Sequence, residues 1–281
     1  MIGVVRNAER RRMTREREDN RRDEGGRLPF AEMLDLAAKL DMTKHYGGLD
    51  ATNELIELCH ITGDKLVLDV GCGVGISACY LAKEIGCRVM GLDIAASMIR
   101  KARERAVRNR VEDRVTFKVA DARALPFEDD TFDAVLVESV TQFPTDKQAA
   151  VNGYVRVAKP GGFVGLNEAT WLATPTEDVA KNFRASTRAT HLTVEGWKEL
   201  LVNAGLTGVI ARSYAVNSRS ESINQGKLVG FGYLLKVAFR TLVLYMRDPD
   251  FKRFIRETTE GIPRNLSEYL GYGLYVGQKV G

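Results

Sequence analysis

Three features of this 281-residue sequence predict a doubly wound α/β fold. Short apolar runs alternate with amphipathic stretches at the spacing of βαβ units. A glycine-rich loop follows the first of these runs. Acids stand at the ends of successive runs, at Asp69, Asp93 and Asp121, where a sheet of this kind binds its ligand.

The elements read in order. Phe30, Met33, Leu34, Leu36, Ala37 and Leu40 mark one helical face, and 49–61 marks another. Thr43 to Gly48 breaks helical periodicity between them. The run 65–70 is almost wholly apolar, as a strand covered on both faces requires. The glycine loop leads into a helix over 77–85, and then 87–92 is a second strand. A helix spans 95–108, and a third strand spans 115–119. After a turn-rich stretch, 132–137 is a fourth strand, followed by a helix over 149–157 that ends at Lys159-Pro160-Gly161-Gly162. A fifth strand covers 163–167. A helix over 193–204, with Thr193 as N-cap, is closed by Gly205, and 208–214 is a sixth strand. Helical patterns return in Leu228–Met246 and in 251–258, and 272–276 alternates like a last strand.

Charge and cysteine usage narrow the class. The chain has 41 Lys+Arg against 37 Asp+Glu, a net of +4. Residues 1–27 hold nine Arg and six acids, so most of that excess lies in an arm and the body is almost neutral. This distribution argues against a nucleic-acid-binding domain. Four cysteines form no C-x-x-C pair and three histidines are scattered, so neither a disulfide framework nor a zinc site is indicated, and no metal is expected. The opening residues lack the apolar run of a signal peptide, and Lys236 and Arg240 interrupt Leu228–Met246 as a membrane span. A cytoplasmic protein, at most peripheral to a membrane, is expected.

The loop Asp69-Val70-Gly71-Cys72-Gly73-Val74-Gly75 joins strand to helix. Its glycines allow positive φ and close approach of a ligand, and its amides would favour an electron-rich group. Gly73-x-Gly75-x-x-Ala78, with Asp93 twenty residues on from Gly73, also fits a nicotinamide dinucleotide. Placement of charge separates the readings. A carboxylate at Asp69 has no role beside a pyrophosphate but suits an amine or a sulfonium. Asp93 is placed to accept both hydroxyls of a ribose, and Asp121 with the Ala122 amide to bond an adenine edge.

The run 67–75, then Gly91-Leu92-Asp93, Ala120-Asp121-Ala122 with Leu125-Pro126-Phe127, Phe132-Asp133 and Arg156 to Gly162 resembles the class I S-adenosylmethionine-dependent methyltransferases over roughly 49–214. The likeness in general pattern is to enzymes acting on quinones, sterols and lipids. It implies a mostly parallel seven-stranded Rossmann-like sheet ending in an antiparallel hairpin. It also implies S-adenosyl-L-methionine bound by Asp69, Gly71, Cys72, Gly73, Asp93, Ile94, Met98, Asp121, Ala122 and Glu138, with Tyr46 as a lid contact. The expected divisions are an arm (1–27), a helical lid segment (28–64), a core (65–216), a helical cap (217–270) and a final strand (271–281).

The acceptor is expected beyond the fourth and fifth strands. Glu138, Glu168 and His191 are the candidate acid–base groups, and Trp171 a candidate substrate contact. Each has an ordinary structural alternative: local amides for the acids, a cap or surface position for the histidine, core packing for the tryptophan. Leu228, Phe231, Leu235, Leu242, Met246 and Tyr245 form an apolar helical face with Lys227, Lys236 and Arg240 nearby. That face suits a buried cap, a homodimer seam or a membrane-surface helix, and a cap over the cofactor suits a small apolar acceptor. A non-catalytic cofactor-binding module and a dehydrogenase are the competing functions.

Overall fold

The computed structural model describes residues 28–41, 45–216, 230–260 and 262–281. The charged arm, Thr43-Lys44, and the stretch with Lys227 and Leu228 lie outside these residues, as does the side chain of Phe231.

Two helices, α1 (Phe30–Ala38) and α2 (Gly48–Leu58), precede the sheet. Strand β1 (Leu66–Val70) leads through the glycine loop to a short α3 (Ile76–Tyr80), which widens into a π-helical turn at Leu81–Ile85. Then follow β2 (Arg88–Asp93), α4 (Ala96–Asn109), β3 (Val115–Val119), β4 (Phe132–Glu138) and α5 (Lys147–Val157). Next come β5 (Ala158–Trp171), α6 (Glu177–Thr187), a two-residue β6 (Leu192–Thr193) and α7 (Val194–Asn203). The chain continues as β7 (Leu206–Ala215), α8 (Phe231–Arg247), α9 (Pro249–Thr259) and β8 (Leu270–Lys279).

The strands lie in the order β3-β2-β1-β4-β5-β8-β7, with β6 beside β5. All pairings from β3 to β5 are parallel, and β8 runs antiparallel between β5 and β7. The order reverses at β1, where β2 and β4 flank it, so a crevice opens at the carboxyl ends of these strands. The Asp146, Thr176 and Thr193 side chains cap α5, α6 and α7, each accepting from an amide three residues on.

Strand alternation divides the core. Val67, Val89 and Leu136 face one side, against Leu55 of α2, Cys79 of α3 and Ile99 of α4. Leu68, Val135 and Leu166 face the other, against Tyr154 of α5 and Trp197 of α7. Trp197 has no exposed surface, and its indole N–H donates to the Ala169 carbonyl at 3.2 Å. The Trp197→Ala variant is expected to lose about 3–5 kcal/mol of stability, read from urea unfolding. A loss below about 1 kcal/mol would mean that α7 does not depend on this anchor.

The cap helix turns one of its two apolar sides to the core. Leu234 and Val237 of α8 rest on Val74, Ile76, Ala95 and Met98 beside the glycine loop, and Leu244 packs with Phe251 and Leu36. Leu235, Leu242 and Met246, on the face that suits a buried cap, a homodimer seam or a membrane-surface helix, point outward together with Phe239. No helix among the described residues is long and apolar enough to cross a membrane.

Candidate functional site

Three carboxylates converge where β1, β2 and β4 end, and each has a different supply of donors. Asp93 is 8 % exposed; one oxygen accepts from the Gly73 amide at 3.0 Å and the other from the Ala95 amide at 2.9 Å. Burial nevertheless raises its pKa. Each oxygen keeps a second lone pair for a ligand hydroxyl. Glu138 accepts from the Ser77 hydroxyl at 2.9 Å and the Thr52 hydroxyl at 3.1 Å. His45 Nδ1 lies 3.1 Å from its Oε2, and Asn167 Nδ2 donates to it at 3.4 Å.

Asp69 is the exception. It is 3 % exposed, and its Oδ2 has no protein hydrogen-bond partner. Desolvation first, then the charges of Glu138 and Asp93, push its pKa up to about 8. The Ser139 hydroxyl and the Asn167 amide oxygen are likewise buried without partners at the neighbouring ends of β4 and β5. Ser139 holds a positive φ of 61°, a conformation uncommon outside glycine that clusters at functional sites. Buried polar groups of this kind call for a ligand that supplies hydrogen bonds.

The glycine loop is shaped for close approach, but its amides are not the attraction. Gly71 has φ +70°, and a Cβ there would stand 2.2 Å from a Val140 methyl. The Cys72 amide donates to the Leu92 carbonyl, the Gly73 amide to Asp93, and the Gly75 amide to the Cys72 carbonyl. The expectation that these amides await an electron-rich group is therefore corrected, because all three serve the protein itself. A pyrophosphate would meet a closed loop backed by carboxylates.

Other expected contacts fall into four groups. Ile94 is half exposed at the tip of β2, open to a flat ligand. Asp121, with Ala122 beside it, lies at the tip of β3, where Arg123 binds both of its oxygens and lowers its pKa. An adenine amino group would share that carboxylate with an exposed guanidinium. Met98 is buried in the cluster beneath α8 and lies within the packing rather than on the crevice wall. Tyr46 stacks on Tyr272 with ring centroids 6.4 Å apart, and its carbonyl, not its ring, accepts from Asn167 at 2.8 Å.

The acid–base candidates beyond Glu138 sit elsewhere. Glu168 is fully buried, with one oxygen accepting from the Val140 and Thr141 amides at 3.0 and 2.6 Å. Strand alternation sends it to the sheet face opposite Asn167, so it fixes the loop after β4. Burial raises its pKa to about 7. His191 stacks on Phe183 at 4.7 Å and packs against Trp171, and desolvation lowers its pKa to about 4. A base of that strength is poorly matched to neutral pH. Trp171 is core packing for these rings.

Four residues around Glu138 were missed as site residues: His45, Thr52, Ser77 and Asn167. Asn167 pairs with Glu138 across β4 and β5, so its place at the end of the strand expected over 163–167 was a usable signal. Thr52 and Ser77 are unremarkable polar residues on α2 and α3, and only the fold brings them together.

This sheet and its acidic crevice resemble the Rossmann-like domain of the class I S-adenosylmethionine-dependent methyltransferases. Residues 67–162 match the family model described as a methyltransferase domain. Methyltransferase GfsG of Streptomyces halstedii is 38 % identical over 116 residues, which are 41 % of each chain. The [4+2]-cyclase SpnF superposes with a TM-score of 0.73 at 21 % identity, over 89 % of this chain and 95 % of that one. Phosphoethanolamine N-methyltransferase 2 of Haemonchus contortus, solved with S-adenosyl-L-methionine, gives 0.70 at 18 % identity, over 90 % and 60 %. The chain spans less than two thirds of the curated relatives it matches.

The Asp69 pKa has a consequence for stability. The folded state binds this proton more tightly than an unfolded chain, whose aspartates titrate near 4. Stability therefore falls as pH rises from about 4 to about 8 and levels off above. Asp93 and Glu168, also raised, add slopes of the same sign. Asp69→Asn is expected to raise the thermal midpoint at pH 8 by several degrees and to flatten the slope. An unchanged or lowered midpoint would show that the site tolerates the buried charge.

Proposed function

We propose that this protein transfers a methyl group from S-adenosyl-L-methionine to a small, apolar acceptor. The observation that carries the reading is the unpartnered, buried Asp69 oxygen beside a glycine loop whose Cys72, Gly73 and Gly75 amides are already used. Such a pocket favours a ligand bearing positive charge and N–H donors over one bearing phosphates. The known fold supports the reading but does not decide the chemistry, since a cyclase shares it.

The residues divide the work. Asp69 faces the amine and sulfonium end of the ligand, and its proton leaves as that charge arrives. Asp93, held by the Gly73 and Ala95 amides, offers its remaining lone pairs to the ribose hydroxyls. Gly71 allows the approach. Ile94, Asp121 and Ala122 border the adenine, and Cys72 and Met98 support the wall from behind. The cofactor itself supplies an electrophilic methyl carbon on a cationic sulfur.

Glu138 serves as a positioning residue. Through His45, Thr52 and Asn167 it fastens the segment before α2 across the crevice and excludes water, the requirement of an in-line displacement. Glu168 sets the loop after β4, and His191 is neutral packing. Phe30 of α1 meets Phe143 of that loop at 5.3 Å, and this aromatic edge favours an apolar acceptor. The named relatives differ in what they act on, so the acceptor class rests on these rings. Residues 28–64 then act as the lid, 65–216 with 271–281 as the core, and 217–270 as the cap. Four buried free thiols suit a reducing cytoplasm.

Calorimetric titration with S-adenosyl-L-methionine is expected to show binding that Asp93→Ala weakens at least about tenfold. Binding of NADH in preference would refute the reading, and binding without transfer of labelled methyl to any lipid, quinone or amine would leave a binding module. His191→Phe is expected to keep methyl transfer within about threefold. A loss of about a hundredfold or more would restore the histidine as a general base.

A further inference from the structure

The outward side of α8 has no role in the reading above. Leu235, Phe239, Leu242 and Met246 follow one another at spacings of four, three and four residues and are 71 %, 70 %, 56 % and 77 % exposed. Helical periodicity puts all four on one stripe. Stripes of this size on a water-soluble surface mark contact with another apolar phase. The helix carries three bases, Lys236, Arg240 and Arg247, and no acid over its whole length. These bases fall on one flank, about a quarter to a third of a turn from the stripe.

That flank borders a cavity of about 520 Å³ between α3, α4 and α8. Five bases line it, Lys83, Arg105, Arg108, Lys236 and Arg240, against only two acids. Both acids are engaged, Asp41 with Arg105 and Arg108 at 3.5 and 3.1 Å and Glu84 with Lys83 at 3.4 Å, which leaves Lys236 and Arg240 without an acid in the cavity. Arg105 is itself buried, donating to the Val74 carbonyl at 2.9 Å and the Tyr233 hydroxyl at 2.8 Å. The cavity is thus an open, built, positively charged recess next to an exposed apolar stripe.

We propose that α8 docks the protein on an anionic phospholipid surface, with the stripe in the acyl boundary and a headgroup phosphate in the cavity. Charge decides between this occupant and a second copy of the chain. In an antiparallel two-fold pairing through the stripe, Lys236, Arg240 and Arg247 would face the same bases on the partner, with no acid on either helix to answer them. A phosphate surface answers all of them. Lys and Arg stems are long enough to reach it while the stripe is immersed. The proposal does not depend on methyl transfer, since it concerns a different face.

Flotation of the full chain with vesicles tests it. Binding is expected to vesicles of phosphatidylcholine with one-third phosphatidylglycerol, weak binding to phosphatidylcholine alone, and release at salt on the order of 0.5 M. Phe239→Ser with Leu242→Ser, and separately Lys236→Glu with Arg240→Glu, should each reduce the bound fraction at least about tenfold. Thermal unfolding checks that the variants fold, and Lys236→Ala alone provides a milder charge variant. Three results would overturn the proposal. One is no binding to either vesicle; another is equal binding to both. The third is a dimer in sedimentation velocity that the serine pair dissociates.

Discussion

Mutual repulsion among Asp69, Asp93 and Glu138 governs the carboxyl edge of the sheet. Three acids in a low-dielectric crevice are tolerable only if donors are brought to them. Asp93 obtains two backbone amides, and the glycine loop closes inward to provide one of them. Glu138 obtains hydroxyls from α2 and α3, an amide from β5, and a histidine from the segment before α2. Four elements are held in register by one carboxylate. Of these three, Asp69 is left short of a donor, and a cationic ligand of the kind proposed would remove that imbalance. The loop, the lid segment and the choice of ligand follow from one electrostatic constraint.

The opposite face of the sheet supports this edge. Glu168 ties down the amides of Val140 and Thr141, and Asn167 accepts the Ser139 amide at 2.7 Å. Ser139 thereby keeps its positive φ and Val140 stays against Gly71. Consecutive residues of β5 therefore shape the same loop, Asn167 through its backbone carbonyl and Glu168 through its carboxylate. A glycine at 71 is required here by its neighbour as well as by its own backbone angle.

The sequence made most of the fold legible because buried parallel strands are short apolar runs with acids at their tips. Seven strands and every helix except α6 could be read in this way, and β5 runs past its expected end at 167 where β8 pairs with it as far as Trp171. Asp69, Asp93 and the glycines were legible as well, since each stands at a strand end. The roles of Glu168 and His191 were not, because a one-residue step along β5 decides which face a side chain meets. Tyr46 was read as the lid contact, and its neighbour His45 reaches Glu138 as well. Which of two adjacent residues in a turn points inward depends on backbone angles that composition does not encode. The side by which the cap helix meets the core was not legible for a related reason. Leu234 and Leu235 are both apolar, and helical periodicity alone cannot say which of two apolar stripes meets the core.

The position of the cap in the chain explains how so large an insertion leaves the sheet intact. Residues 216–270 join β7 to β8, which are paired antiparallel neighbours, with Ala215 opposite Gly271. The ends of the insertion are thus held where a tight hairpin turn would hold them. Chain-closure entropy grows only with the logarithm of loop length, so exchanging a short turn for this segment costs on the order of 2–3 kcal/mol. Burial of Leu234, Val237, Leu244 and Phe251 against α1 and the start of α4 offsets a cost of that size. β8 meanwhile lies between β5 and β7, where a single long strand is paired on both sides. The core can therefore remain constant while the inserted segment changes. The same placement brings α8 against Val74 and Met98, next to the glycine loop. A helix that touches both the crevice and an outer apolar surface is thus added at the one connection where the sheet does not resist it.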